Sequence, residues 1–469
     1  MVIMSVDEIK MTKTESKDMM SKISEAERNG SKTKIIDDKY DYDPYDQPAP
    51  ENATSYADSL TILLKFSLGT GILAMPRSFH NAGYVVGFIG TMVIGFLTTY
   101  TIHMIMSAEY ELCKRKRVPN MSYPETMEAA FEYGPRKMRK FKNTAWFMCY
   151  IFLLIYQTGT SCIYLVFIAD NLKEELDLFF GNSTDIRMVI VYLLIPLILI
   201  SMVRNLKVIS PLASLGHIFV MICFSIIFYY IFRDIPNIAE RKPVGTMQGI
   251  PLFFGTVLFA MEAIGSVMPV KNEMAKPEQF TSRFGVINMA MVPIVLLYTI
   301  IGLFGYLQYG DKTKGSITLN MPQHNLFGHT VKLLLAASVY INYAISNYVI
   351  YDLVWPCLTS KMEKNSHKLS YEYCVRIAIV LITFGFSIAI PNLELFISFL
   401  GSLCLVNLGI FFPVILQTLT FWDEFRGPRF YTFLIKNIFL IIIAILGFVI
   451  GVGRSSIEIY NTVILPSFS

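Results

Sequence analysis

Charged side chains are scarce in this sequence. Lys, Arg, Asp and Glu account for 16% of its 469 residues, whereas 54% of the residues are hydrophobic. A water-soluble domain carries about 25% charged residues, and the mean hydropathy of this chain is +0.49. We therefore expect a polytopic membrane protein and exclude a soluble enzyme.

Paired cysteines are also missing. The seven cysteines stand singly, mostly within or beside apolar runs, and the sequence has no CxxC pair. A zinc site would therefore lack its usual ligand spacing, so we predict no metal, no other cofactor and no external disulfide. We find no nucleophile–base constellation and no phosphate loop in a strand context, and we expect neither catalysis nor a nucleic-acid partner.

The first 52 residues contain no long apolar run. They are rich in Lys, Ser, Asp and Glu, and the first aromatic residue is Tyr40. They lack the apolar core of a signal peptide and cannot bury enough surface to fold. We predict a disordered tail over 1–52, a membrane core over 53–420, and a last helix with a short C-terminus over 421–469.

Long apolar runs with polar breaks between them fill the rest of the chain. Runs of this length and composition predict membrane-spanning helices. The predicted fold class is an all-α polytopic membrane protein with eleven transmembrane helices. The predicted spans are 60–79, 84–107, 144–168, 188–202, 211–232, 250–270, 286–307, 328–355, 373–390, 395–418 and 433–452.

Positive charge gives the predicted spans an orientation. Lys and Arg are most crowded in the loop between the second and third spans, at 114–117 and 136–142. Loops rich in Lys and Arg face the cytoplasm, so this loop and the N-terminus are predicted to be cytoplasmic. Of the Asn-x-Ser/Thr triplets, only the one at Asn182 then falls on an outer loop, which makes Asn182 the predicted glycosylation site.

The first span reads LTILLKFSLGTGILAMPRSF and carries Gly69, Thr70 and Gly71 in its middle, with Pro76 beyond them. Gly and Pro are both unfavourable inside a helix. Broken helix is tolerated in a bilayer only where its freed backbone groups meet protein, water or a ligand. The pattern therefore predicts a discontinuous helix, although a kinked structural helix is an alternative interpretation.

The sixth span repeats this pattern. Phe259 is followed by small residues and then by Pro269, much as Phe66 is followed by the glycines of the first span. Two interrupted spans at matching places, five spans apart, are typical of a 5+5 inverted repeat with a substrate near mid-membrane. A chance pair of kinks is the alternative interpretation.

Several motifs, spread over nearly everything after about residue 55, resemble the proton-assisted amino acid transporters of the amino acid/auxin permease group. The matching segments are 63–65, 69–71, 76, 81–83, 164–167, 170–172, 305–311, 316–320 and 390–394, together with the sixth span. The resemblance implies the leucine-transporter fold and transport of small amino acids by alternating access. Ile62 stands where the family often has a His tied to proton coupling, and the external cysteines of the family are missing.

An amino acid zwitterion needs donors for its carboxylate. Gly69, Thr70 and Gly71 would let backbone amides at a half-helix N-terminus reach a carboxylate with little steric hindrance. Ser67 offers a hydroxyl from the same span. Tyr164 in the third span is a further candidate hydroxyl donor, with ordinary helix packing as the alternative interpretation.

The substrate ammonium needs acceptors in turn. Carbonyls freed near Met261 and Ala263 in the sixth span are the candidates, beside the ring of Phe259. All of these residues lie at or next to the predicted interruption. The eight candidate binding residues therefore come from the first, third and sixth spans.

Ionisable groups within spans are candidate functional residues, because an unpaired charge in hydrocarbon is costly. Lys65 and Glu262 lie at comparable places on the two interrupted spans and are candidates for gating or proton transfer, with a structural ion pair as the alternative. His217 in the fifth span is a candidate proton-responsive group, because imidazole titrates near neutral pH. A packing histidine is the alternative interpretation.

Together these features predict a transporter of small neutral amino acids, either proton-coupled or facilitative, in the plasma membrane or the lysosomal or endosomal membrane. A sensor that binds amino acids and signals through its tail with little flux is the alternative. A channel is disfavoured, since the sequence has no repeated carbonyl filter motif and no ring of like charges.

Overall fold

Helices make up nearly all of the described chain. The computed structural model describes residues 42–48, 50, 53–67, 69–181, 183–204, 206–233, 235–261, 264–322, 325–359, 368–422 and 428–465. The α-helices within these residues are Tyr56–Ser67 (α1), Thr70–Leu73 (α2), Met75–Ala82 (α3), Tyr84–Lys116 (α4), Tyr123–Tyr133 (α5), Lys142–Phe180 (α6), Ile186–Ser201 (α7), Leu206–Phe232 (α8), Gly249–Ala260 (α9), Ile264–Asn272 (α10), Val286–Tyr309 (α11), Leu326–Thr359 (α12), Lys368–Ala389 (α13), Leu393–Leu400 (α14), Phe412–Thr420 (α15) and Pro428–Ile459 (α16).

The predicted all-α membrane fold class is confirmed. Eight helices within the described residues are long and apolar enough to cross a membrane, and α7 and α9 are shorter apolar helices. The first span is divided into α1, α2 and α3. The total of eleven membrane-spanning helices stays a prediction.

Both predicted interruptions are present. The first span is interrupted between α1 and α2, and the sixth between α9 and α10. The two interrupted spans pack together, since α9 contacts α2 and α3 while α10 contacts α1. The interruptions that define the predicted pair of halves therefore lie next to each other in the folded chain.

The helices divide their side chains between a packed interior and an apolar exterior. Tyr298, Tyr343 and Phe167 are among the largest fully buried side chains. Apolar side chains such as Phe96 and Ile195 are exposed on the outer surface. An apolar exterior of this extent fits a hydrocarbon solvent better than water.

The segment predicted as a tail has an ordered end. Residues 1–41 lie outside the described residues, so disorder there stays a prediction. Within 42–48, a short 3₁₀-helix spans Pro44–Asp46 and buries Pro44. We call the face at which α1 begins the tail face, and the face at which α3 ends the far face.

The tenth span changes its winding next to the sixth. Between α14 and α15 the backbone is π-helical over Gly401–Leu405 and Asn407–Phe411. A methyl group placed on Gly401 would overlap the backbone carbonyl of Gly255 in α9. The Tyr123 hydroxyl of α5 donates to the Leu408 carbonyl at 2.6 Å, which gives that carbonyl a partner inside the protein.

We expect Gly401→Ala to destabilise the protein, because the added methyl forces α9 away from the tenth span. Overpacking of this kind costs about 1–3 kcal/mol. The change is measured as a lower melting temperature of the purified protein in detergent. Gly385→Ala is the matched control, because a methyl on Gly385 meets no atom within 4 Å. Equal melting temperatures for the two variants would contradict the close approach of the two glycines.

Candidate functional site

The break in the first span leaves a backbone carbonyl that finds a partner on another helix. Helix α1 ends at Ser67, and the fully buried Tyr298 of α11 donates its hydroxyl to the Ser67 carbonyl. The Ser67 hydroxyl donates to the Leu63 carbonyl at 3.0 Å, within its own helix. A substrate role for that hydroxyl stays a prediction.

Gly69 leads from the break into α2. It caps α2 with φ −94° and ψ −165°, an extended conformation. Pro76 lies in the first turn of α3, where its missing N–H would have had no partner in the helix. Pro76 therefore helps α3 to begin, and the glycine-containing stretch marks the break itself.

The break in the sixth span follows Ala260. Met261 caps α9 with φ −82° and ψ 18°, and α10 begins at Ile264. Phe259 and Met261 are both buried. Glu262 and Ala263, two of the predicted site residues, lie outside the described residues.

The two breaks touch each other through Gly71. A methyl group on Gly71 would stand 2.6 Å from the Cα atom of Ala260, the last residue of α9. Helix α2 also contacts α6, which carries the half-buried Tyr164. The structure thus brings together backbone from the first and sixth spans beside the third span.

The helix ends at this contact have opposite polarity. The N-terminus of a helix offers N–H groups without an intrahelical partner and a partial positive charge, whereas a C-terminus offers carbonyls and a partial negative charge. Thr70 and Gly71 are buried at the first end, and Met261 is buried at the second. Such a pair of ends can hold a small molecule that carries both charges.

A cavity of about 360 Å³ lies beside the first break, between α1, α8 and α11. Lys65, Ser67, His217 and Tyr298 are among its lining residues. The structure thus places the predicted gating residues Lys65 and His217 around one space. The predicted pairing of Lys65 with Glu262 lies outside the described residues, as does the predicted glycosylation site Asn182.

On the far face, an ion pair and hydrogen bonds join α3 to neighbouring elements. Arg77 Nε lies 2.8 Å from Glu394 Oε2, and Asn81 donates its side-chain amide to Glu394 Oε1 at 2.8 Å. Arg77 also donates to the Thr313 carbonyl at 3.0 Å. The end of the broken first span is thereby fastened to the start of α14 and to the loop after α11.

Sequence reasoning missed Tyr298 and the Arg77–Glu394 pair. A tyrosine hydroxyl in the middle of the apolar seventh span was a usable signal, because a buried hydroxyl needs a partner. Glu394 lies between the predicted ninth and tenth spans, and its partner could not be found from the sequence. The pair joins residues 317 positions apart.

We expect Gly71→Ala to lower the predicted amino acid uptake by cells or proteoliposomes. The methyl separates α2 from Ala260 and so disrupts both helix ends of the site. Uptake should fall by about tenfold or more, as expected for an overpacked close contact. Gly453→Ala is the control, because a methyl there meets no atom within 4 Å. A Gly71→Ala protein that elutes as a single species and transports normally would contradict this site.

We expect Tyr298→Phe to lower the melting temperature and the uptake rate together. The change removes only the hydroxyl that serves the Ser67 carbonyl, and a buried unpaired carbonyl costs about 1–3 kcal/mol. Tyr192→Phe is the control, since Tyr192 is an exposed tyrosine on α7. Unchanged stability and uptake in Tyr298→Phe would show that the carbonyl needs no such partner.

Comparison with known proteins identifies the family of this chain. The family model described as "Transmembrane amino acid transporter protein" matches residues 52–457. A Drosophila melanogaster relative, "Proton-coupled amino acid transporter-like protein pathetic", is 34% identical over 414 residues, which cover 88% of this chain and 86% of the relative. "Probable amino acid transporter skat-1" of Caenorhabditis elegans is 26% identical over 416 residues, which cover 87% and 89% of the two chains.

A solved structure was also matched. It is a nucleobase-cation-symport-1 family transporter in a closed conformation with bromovinylhydantoin bound, matched with a TM-score of 0.43, 14% identity, and coverage of 88% of this chain and 96% of the other. The family match extends over most of the sequence, from the end of the tail to the last helix. The chain therefore belongs to the transmembrane amino acid transporter protein family.

Proposed function

We propose that this protein moves small neutral amino acids across a membrane by alternating access, with the substrate held between the two helix breaks. The observation that carries the proposal is the contact between Gly71 and Ala260, which brings the N-terminus of α2 to the C-terminus of α9. Amides of Gly69, Thr70 and Gly71 receive the carboxylate. Carbonyls at the end of α9, near Met261, receive the ammonium.

The described residues at this site favour a small and uncharged side chain. Ser67, Thr70, Phe259 and Met261 are all neutral, so a charged substrate side chain finds no counter-ion among them. Gly71 packs against Ala260 with no room for a methyl group, which keeps the two helix ends close together. Tyr164 and Phe259 are the proposed boundaries of the substrate side-chain pocket.

Alternating access uses the halves of the first span on either side of its break. The Arg77–Glu394 network fastens the α3 half on the far face, while the cavity beside α1 lies on the other side of the break. Opening one face and closing the other requires that α1 and α3 move separately. The interruption between α1 and α2 permits that motion without breaking regular hydrogen bonds within either half.

The proposed coupling group is His217, which lines the same cavity as Lys65. A proton on His217 would be repelled by the Lys65 ammonium, so protonation would alter how α1 packs against α8. A transporter without this coupling would be a facilitator. The two mechanisms differ in the pH dependence of uptake and in the current that accompanies it.

The tail face is the proposed cytoplasmic face. Helix α4 ends there with Lys114, Arg115 and Lys116, and the loop after α5 adds further exposed cations. Short loops rich in Lys and Arg stay on the cytoplasmic side. The proposed membrane is the plasma membrane or the lysosomal or endosomal membrane.

The test is radiolabelled uptake of proline, alanine, glycine and glutamine in oocytes, with current recorded, at pH 5.5 and 7.5, on either side of the ordinary pKa of histidine. We expect saturable uptake that is several-fold greater at the lower pH and accompanied by inward current. His217→Gln should remove the pH dependence while retaining uptake. Saturable uptake that carries no current and does not depend on pH would indicate a facilitator.

Absence of flux for every amino acid would contradict the transporter proposal at that membrane. Binding of an amino acid to the purified protein without flux would instead favour the sensor. Binding is measured separately, by the shift in melting temperature that a ligand of the folded state produces. The two measurements therefore distinguish a transporter, a sensor and a protein that binds none of these amino acids.

A further inference from the structure

A buried ion pair joins α4 to α10 on the tail face. Lys271 Nζ lies 2.5 Å from Glu109 Oε2, and the two side chains are 4% and 0% exposed. Helix α10 is the second half of the broken sixth span. The pair therefore fastens that half-helix to α4, and its attraction is strong only while water is kept away from it.

The ring of Tyr45 covers this ion pair. Its centroid lies 6.0 Å from Lys271 Nζ and 4.6 Å from the ring centroid of Tyr110. The Tyr110 hydroxyl donates to the Asp43 carboxylate at 3.2 Å, and Pro44 is buried beside them. Aromatic pairing and a cation–π contact thus hold the end of the predicted tail on the protein.

The residues just before α1 pair with the chain at the end of α10. Thr54 donates its backbone N–H to the Glu273 carbonyl at 2.7 Å and accepts from the Ala275 N–H at 3.0 Å. Helix α1 begins two residues later, and the Tyr56 hydroxyl donates to the Phe284 carbonyl at 2.8 Å. Residues 42–48 and 53–55, which we call the strap, thus contact α4 and the end of α10, and 53–55 continue directly into α1.

We propose that the strap holds the tail face of the transporter closed, with Tyr45 as the residue that seals the Glu109–Lys271 pair. The proposal rests on the alternating-access function proposed above. Lifting Tyr45 admits water to the ion pair, which weakens its attraction and frees α10 from α4. The backbone pairing at Thr54 then opens, and α1 is free to move away from α10.

The strap also connects the first 41 residues to the transport cycle. A negative charge added to the Tyr45 ring would be repelled by the carboxylates of Glu109 and Asp43 and would compete with Glu109 for the Lys271 ammonium. A modification or partner that carries such a charge, or that pulls on the tail, therefore opens the tail face. Burial raises the pKa of Tyr45, so the unmodified ring stays uncharged at pH 5.5 and 7.5.

The test is hydrogen–deuterium exchange of the full-length protein in lipid nanodiscs, read at the Thr54 and Ala275 amides. Tyr45→Ala should speed exchange at both amides by about tenfold, the size expected when an aromatic pair and a cation–π contact are lost. Tyr45→Glu should speed it at least as much, and Tyr45→Phe should leave it unchanged. The control is Tyr133→Ala, which changes an exposed tyrosine of α5.

If the Thr54 and Ala275 amides of Tyr45→Ala exchange as slowly as those of the unmutated protein, the strap proposal is wrong, whatever the transport activity of the variant. Equal acceleration by Tyr45→Ala and Tyr133→Ala would overturn it as well, because the effect would then not depend on the seal. Neither variant removes a buried side chain from a membrane-spanning helix, so both are expected to fold. Elution as a single species confirms this for each protein.

Uptake kinetics separate this proposal from the proposed function. Opening of the tail face lowers the fraction of molecules that can bind substrate from the far face, and the KM for uptake from that face rises in inverse proportion to that fraction. We expect that rise in Tyr45→Ala and not in Tyr45→Phe. If exchange is faster in Tyr45→Ala but even the unmutated protein transports no amino acid, the strap is supported and the proposed function is contradicted. Normal transport together with unchanged exchange in Tyr45→Ala would support the proposed function and contradict the strap.

Discussion

Backbone groups freed inside an apolar environment must find partners, and this constraint governs the site. The break after Ser67 leaves a carbonyl that Tyr298 serves from a different helix. At the second break, the end of α9 lies directly against Gly71. Each break is thus stabilised by another part of the chain. We propose that a ligand supplies hydrogen-bond partners for the freed backbone groups that no protein group reaches.

The breaks were predictable because they follow from local chemistry. Gly69 and Gly71 stand in the middle of an apolar run, and α2 begins between them. Pro76 was less informative, since it lies in the first turn of α3.

Helix lengths were also underestimated. Helix α4 continues to Lys116, nine residues beyond its predicted end, because helical structure persists after the apolar pattern stops.

The partners of these elements were not predictable, because they depend on how helices rotate and meet. Lys271 lies just beyond the predicted end of the sixth span, yet it forms a buried pair with Glu109, 162 positions away. Ser67 was expected to face a substrate, but its hydroxyl is bonded within α1. Lys65 and His217 do line one cavity, and their roles in coupling stay proposals.

The central claim is that an amino acid binds between the two breaks, and a structure with bound substrate tests it most directly. The measurement is cryo-electron microscopy of the full-length protein at a saturating concentration of a transported amino acid. We predict density for its carboxylate at the amides of 69–71 and for its ammonium at the carbonyls ending α9. Substrate density elsewhere, with the Gly71–Ala260 contact unchanged, would contradict the account.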